Sequence, residues 1–194
     1  MRGKLEVIVG CMFSGKTEEL IRRLHRLQFA RQEYLLFKPS FDTRYGEKIV
    51  ATHYGREMQA FLLTPGEETV EKVIEIAREQ AFKKALVIAF DEGQFYSPRF
   101  VELCKNLVNL GKRVIVAGLD LNFRGEPFGP MPQLLALADE VAKLQAVCVK
   151  CGKPATRTQR LINGEPVTLG PEIQVGGAET YEARCLDCWV APSD

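Results

Sequence analysis

The sequence predicts a mainly parallel α/β domain followed by a small β-rich domain closed by a metal. Three observations carry this: short apolar strands alternate with amphipathic helices up to residue 147, a glycine-rich loop joins the first strand to the first helix, and two Cys-x-x-Cys pairs bracket the C-terminal segment. The expected boundaries are 1–147 and 148–194, and 194 residues suit one domain with an appendage.

Lys4–Val9 is apolar and β-branched and breaks at Gly10, the pattern of a first strand. From Thr17 a helix is expected, with Leu20, Ile21, Leu24 and Leu27 on one face and Arg22, Arg23 and Arg26 on the others. Residues 34–37 predict a second strand closed by Pro39, and 68–84 a helix with Val70, Val73, Ile74, Ala77 and Ala81 on one side. The near-continuous apolar run at 86–90 is that of a strand covered on both faces. Ser97 and Pro98 read as N-cap and first turn of a helix bearing Phe100, Cys104, Leu107 and Val108 and stopping at Gly111. Cys104 reads as a small buried apolar residue. A fourth strand at 113–117, a Gly/Pro-rich loop at 124–132 and a helix over about 133–143 follow, leading to an apolar stretch at 144–147. Beyond it the pattern changes to short β-like pieces, such as 155–161.

Charge narrows the function classes. Twenty-six Lys and Arg against 25 Asp and Glu give a net charge of +1, without the basic footprint of a phosphate-backbone binder. No apolar run reaches the ~20 residues of a membrane span, and the N-terminus lacks a signal-cleavage pattern. The expectation is a cytoplasmic protein with no nucleic-acid or membrane partner.

Gly10, Cys11, Met12, Phe13, Ser14, Gly15, Lys16 and Thr17 fit G-x-x-x-x-G-K-[ST] between a predicted strand and a predicted helix. In such a loop backbone N–H groups and the helix N-terminus cradle phosphates, the lysine reaches the β/γ oxygens, and the threonine ligates Mg²⁺. Its usual partner is a carboxylate at the end of a buried strand, and Asp91 directly follows 86–90. Glu92 can then turn toward an acceptor and take a proton from a hydroxyl or from water. The two motifs together indicate an ATP-using enzyme.

Cys148, Cys151, Cys185 and Cys188 form two pairs with the spacing of a tetrahedral Zn²⁺ site, redox pairs or disulfides being the alternatives. A closed four-thiolate site is structural, and it would clamp the base of a long loop over 152–184. Five Lys and Arg against six Asp and Glu over 148–194 give −1, unlike a nucleic-acid-binding zinc ribbon. The stretch 173–181, with Gly176, Gly177 and Tyr181, reads equally as a lid over an acceptor or as a surface hairpin.

The ordered set GCMFSGKT at 10–17, DTRY at 42–45, DEGQF at 91–95, GLDLNFRGEPFG at 118–129 and the paired CxxC motifs resembles the type II thymidine kinases, from about residue 5 to 188. The resemblance implies a phosphate-loop α/β domain plus a zinc domain carrying a lasso loop. It also implies transfer of the ATP γ-phosphate to the 5′-hydroxyl of thymidine, and of deoxyuridine, giving thymidine monophosphate for nucleotide salvage. A homotetramer and feedback inhibition by thymidine triphosphate belong to the same implication. By residue, it places the loop Gly10 to Thr17, Asp42, Arg44, Asp91 and Gln94 on the ATP side, Mg²⁺ at Thr17 and Asp91, and the base at Glu92. Met12, Phe95, Leu119, Phe123, Phe128, Thr158 and Tyr181 would surround the thymine, with lasso backbone at Ile173, Gln174, Val175 and Gly176 bonding its edges. Two departures stand out: Cys11 occupies a common proline position, and 163–171 is longer than in human-like members. On this division of labour Cys185→Ser is expected to raise the nucleoside KM more than that for ATP.

Overall fold

The structure is a computed structural model of the chain and describes residues 3–40, 49–51, 57–64, 68–77, 83–167, 169–172 and 179–191. Its first part runs β1 (Lys4–Val9), α1 (Lys16–Phe29), β2 (Tyr34–Pro39), β3 (Ile49–Ala51), β4 (Glu57–Gln59), β5 (Phe61–Leu63), α2 (Glu68–Ala77) and β6 (Val87–Phe90). It continues through α3 (Arg99–Asn109), β7 (Arg113–Gly118), α4 (Met131–Leu137) and β8 (Glu140–Lys143). Six strands form one sheet in the order β5-β2-β6-β7-β1-β8, every neighbouring pair parallel. β3 and β4 pair antiparallel as a separate ribbon.

Alternation of side chains along the strands assigns the two faces. Ile8, Leu36, Ala89 and Ile115 pack on Leu20, Ile21, Leu24 and Leu27 of α1. Val7, Val9, Ile88, Phe90, Val114 and Val116 pack instead on Val73, Ile76, Phe100, Cys104, Met131 and Leu134 of α2, α3 and α4. Burial on both faces explains the continuous apolar runs of β6 and β7. Cys104 is in that core, where burial pushes its thiol up.

Several local expectations change. The helix expected over 133–143 ends at Leu137, and 140–143 is strand β8 beside β1. Asp139 forces the change: its N–H donates to Leu5 O at 2.9 Å while its carboxylate accepts from Leu5 N–H at 2.8 Å, so the free edge of β1 captures the segment. In α2 the inward residue after Val73 is Ile76, with Ile74 exposed. At α3 the cap position is Pro98, and Ser97 contributes its carbonyl, which accepts from Phe100 N–H at 2.9 Å. α3 does stop at Gly111, whose φ of 80° is the left-handed conformation glycine tolerates.

One buried charge cluster holds α1 to the sheet. Glu6 in β1 is fully buried, and its carboxylate meets Lys4, Arg23 of α1 at 2.5 Å and Arg113 of β7 at 2.6 Å. Burial alone would raise Glu6, but Arg113, Lys4 and Arg23 outweigh it and hold the carboxyl at about 2 against an ordinary 4.5. A depressed folded-state pKa stabilises above 4.5 and loses that contribution as pH falls toward 2. We expect on the order of 2 kcal/mol of unfolding free energy to disappear over that window through Glu6. Urea titrations at pH 6 and pH 3 check it: Glu6→Gln should be less stable at pH 6 and show a smaller loss on acidification.

The remaining strands are β9 (Ala146–Val147), β10 (Pro154–Ala155), β11 (Arg157–Ile162), β12 (Glu165–Val167) and β13 (Tyr181–Arg184). β9 pairs with β10, and β11 lies between β12 and β13, all antiparallel. This small β-rich part meets the larger one in a shared cluster of Cys11, Ala146, Cys148, Ala155, Ala183 and Cys185.

Candidate active site

Because the sheet is parallel and Val9 pairs with Gly118, the loops after β1, β6 and β7 leave from the same edge. The first is the glycine-rich loop. A Cβ on Gly10 would come 2.6 Å from Ser14 Oγ, so only glycine lets the loop turn this tightly. Gly15, at φ 84°, caps the N-terminus of α1. Lys16 Nζ donates to Cys11 O at 2.8 Å. Burial pushes the Lys16 ammonium below its ordinary value, while Glu92, Asp91 and Asp120 pull it back. Thr17 Oγ1 donates to Asp91 Oδ2 at 3.3 Å, joining the loop to the end of β6.

The second loop carries two adjacent carboxylates, Asp91 and Glu92. Asp91 is buried; its N–H donates to Phe37 O at 2.8 Å and its Oδ1 accepts from Glu92 N–H at 2.9 Å. Glu92 follows in the left-handed conformation, φ 51°, an uncommon state for a non-glycine residue. Gln94, itself buried, donates through Nε2 to Glu92 Oε2 at 2.7 Å and accepts through Oε1 from Leu119 N–H at 2.9 Å. Gln94 therefore binds the second loop to the third.

The third loop supplies apolar walls. Phe95 and Phe128 meet edge to face at 5.7 Å. Phe123 lies under Arg160, whose guanidinium carbon is 3.8 Å from the ring centroid, and Arg160 Nη2 donates to the Tyr181 hydroxyl at 3.0 Å. Met12 N–H donates to Thr158 Oγ1 at 3.1 Å, so β11 touches the phosphate loop directly. Asn122 Oδ1 caps the turn by accepting from Arg124 and Glu126 N–H groups at 2.9 and 3.1 Å.

The four paired cysteines converge: their sulfurs all lie within 4.8 Å of one another, with Cys151 and Cys185 at 3.6 Å and all four in the free form. Tetrahedral Zn–S bonds of ~2.3 Å need sulfurs about 3.8 Å apart, so the cluster fits zinc. Each pair is wound as a tight knuckle, Gly152 N–H donating to Cys148 O at 2.8 Å and Cys188 N–H to Cys185 O at 3.2 Å. Cys11 packs against this knuckle and donates to Ala155 O at 3.3 Å, and burial raises its thiol.

Residues 3–189 match the family model described as Thymidine kinase. The chain belongs to the thymidine kinase family. It is thus a kinase, and its family implies a nucleoside and ATP as substrates. Among solved structures it is similar to the genome packaging NTPase B204 from Sulfolobus turreted icosahedral virus 2 in complex with ATP-gammaS, at 16% identity, TM-score 0.49 and 76% coverage of either chain. Among the described residues no helix is long and apolar enough to cross a membrane.

For this thymidine kinase family member, the phosphate loop, Asp91, Glu92, Gln94, Phe95, Leu119, Phe123, Phe128, Thr158 and Tyr181 stand on or beside the three loops. Asp42, Arg44, Ile173, Gln174, Val175 and Gly176 lie outside the described residues. Sequence reasoning missed Arg160, which is 1% exposed in a strand where it read only as one more charge. It also missed the buried Asp120, whose carboxylate is 3.0 Å from Lys143 Nζ, and the buried Asn122. Asn122 three residues before Gly125 is a turn signal that the GLDLNFRGEPFG motif contains.

Proposed function

We propose that the chain is an ATP:thymidine 5′-phosphotransferase, accepting deoxyuridine as well, that makes thymidine monophosphate for nucleotide salvage in the cytoplasm. The observation that supports the reading is the pairing of two adjacent carboxylates with different partners: Asp91 accepts from the Thr17 hydroxyl, and Glu92 accepts from Gln94.

In this reading the backbone from Gly10 to Thr17 wraps the ATP phosphates, and the Lys16 ammonium leaves Cys11 O to meet their charge. Thr17 and Asp91 would hold Mg²⁺, which when bound neutralises charge on the phosphates. Glu92 Oε atoms accept the proton of the 5′-hydroxyl as its oxygen approaches phosphorus. Met12, Phe95, Leu119, Phe123, Phe128, Thr158 and Tyr181 exclude water and orient the base, with backbone at Ile173, Gln174, Val175 and Gly176 bonding its edges, Asp42 and Arg44 beside the nucleotides and Gln94 on the ATP side. The reading takes 1–147 as the ATP-binding domain and 148–194 as a zinc-binding domain with structural Zn²⁺. Assembly as a homotetramer and feedback inhibition by thymidine triphosphate are part of the same proposal.

Steady-state ADP release with Mg-ATP and a panel of single deoxynucleosides tests it. Thymidine and deoxyuridine should stimulate release far above the purine deoxynucleosides; equal rates across the panel would refute the pyrimidine assignment.

A further inference from the structure

We infer that Arg160 is a positioning residue for the nucleoside, fastening the aromatic wall of Phe123 and Tyr181 to the chain at Pro171 and Glu172. This rests on the thymidine kinase reading above.

Arg160 sits in the middle of β11, and its side chain is on the same side of the strand as Thr158, which binds the phosphate loop. Although 1% exposed, it makes no ion pair with a carboxylate among the described residues. Its charge is met by other groups. Nη1 donates to Pro171 O, Nη2 donates to Glu172 O at 2.9 Å and to the Tyr181 hydroxyl at 3.0 Å, and the guanidinium plane covers the Phe123 ring at 3.8 Å. The segment it grips is held from the other side too: Asn122 Nδ2 donates to Glu172 Oε1 at 2.9 Å, and Arg124 donates to Gly170 O.

Burying an uncompensated guanidinium is costly, and an apolar residue would hold a β-strand core at least as well. What an apolar residue cannot do is fix four partners from three separate stretches, the 122–126 turn, 170–172 and β13, at one point. Lysine cannot do it either, because one ammonium lacks the planar fork that bonds two carbonyls and a hydroxyl while stacking on a ring. Two of those partners, Phe123 and Tyr181, are proposed nucleoside walls, and neither is proposed to touch the ATP phosphates. Loss of Arg160 should therefore act on the nucleoside and spare ATP.

The experiment compares wild type, Arg160→Met and Arg160→Lys by zinc content, by emission of the single tryptophan, and by KM for thymidine and for ATP. Trp189 packs on the turn at Gly125, where a Cβ would come within 2.9 Å of its ring, so its emission reports whether the turn and the zinc module are intact. In both variants the thymidine KM should rise ~10- to 100-fold, the scale of losing hydrogen bonds to a charged group, while the ATP KM moves less than about threefold. A thymidine KM within about twofold of wild type in either folded variant overturns the inference, as does a parallel rise in both constants, which marks a merely structural arginine. If Arg160→Met does not fold, Arg160→Lys decides between the same outcomes. Wild-type protein without thymidine-dependent turnover would instead overturn the kinase reading, and with it this inference.

Discussion

Glutamine at position 92 is expected to lower kcat by ~10²- to 10⁴-fold while leaving ATP affinity within about twofold of wild type. The substitution keeps the shape of the side chain, and its amide oxygen can still accept from Gln94, so the left-handed turn between β6 and Gly93 should survive. What disappears is the capacity to accept a proton from the acceptor hydroxyl. ATP contacts are assigned to the loop of residues 10–17, Asp42, Arg44, Asp91 and Gln94, none of which is replaced, and Gln94 keeps an acceptor at position 92. Pre-steady-state turnover together with equilibrium binding of ATP separates the two quantities. Near-normal kcat in Glu92→Gln would remove Glu92 from the role of base.

The second large effect concerns the cysteine cluster. Cys185→Ser should release zinc and unfold the knuckles built on Cys148 and Cys185, because a module this small has little other core. Division of labour by motif places the damage on the nucleoside side. The packing argues for a wider effect: Cys148 and Cys185 share a cluster with Cys11 of the phosphate loop, and Thr158 of β11 binds Met12 N–H. We therefore expect the KM for ATP to rise along with that for thymidine, each by ~10-fold or more, together with loss of bound metal. Metal analysis and both KM values check this. A variant that loses zinc yet keeps the wild-type ATP KM would show that the phosphate loop stands without the zinc module.

The contrast shows which parts of this molecule were legible in its sequence. Local periodicity and local chemistry were enough for β1, α1, the phosphate loop, β6 with Asp91 and Glu92, and the cysteine pairs, since each is specified within a short window. Elements made by partners distant in sequence were not. Residues 140–143 continue a helical pattern and become a strand only because β1 offers an open edge and Asp139 locks onto Leu5. The β3–β4 ribbon and the strand at 61–63 carry no long alternation. The bond of the Gln94 amide from Glu92 to Leu119 N–H, 25 residues away, is likewise set by a partner distant in sequence. Arg160 counted only as one more charge because nothing in its neighbours announces that Phe123, Pro171, Glu172 and Tyr181 fold around it.

The most direct test of the central claim follows the γ-phosphate itself. Protein is incubated with Mg²⁺ and γ-labelled ATP in three arms: thymidine, single-stranded DNA, and no acceptor. The account predicts label in thymidine 5′-monophosphate in the first arm and little release in the others; label appearing as inorganic phosphate at equal rates in all three, or stimulated by DNA, would contradict it and make the protein a hydrolase.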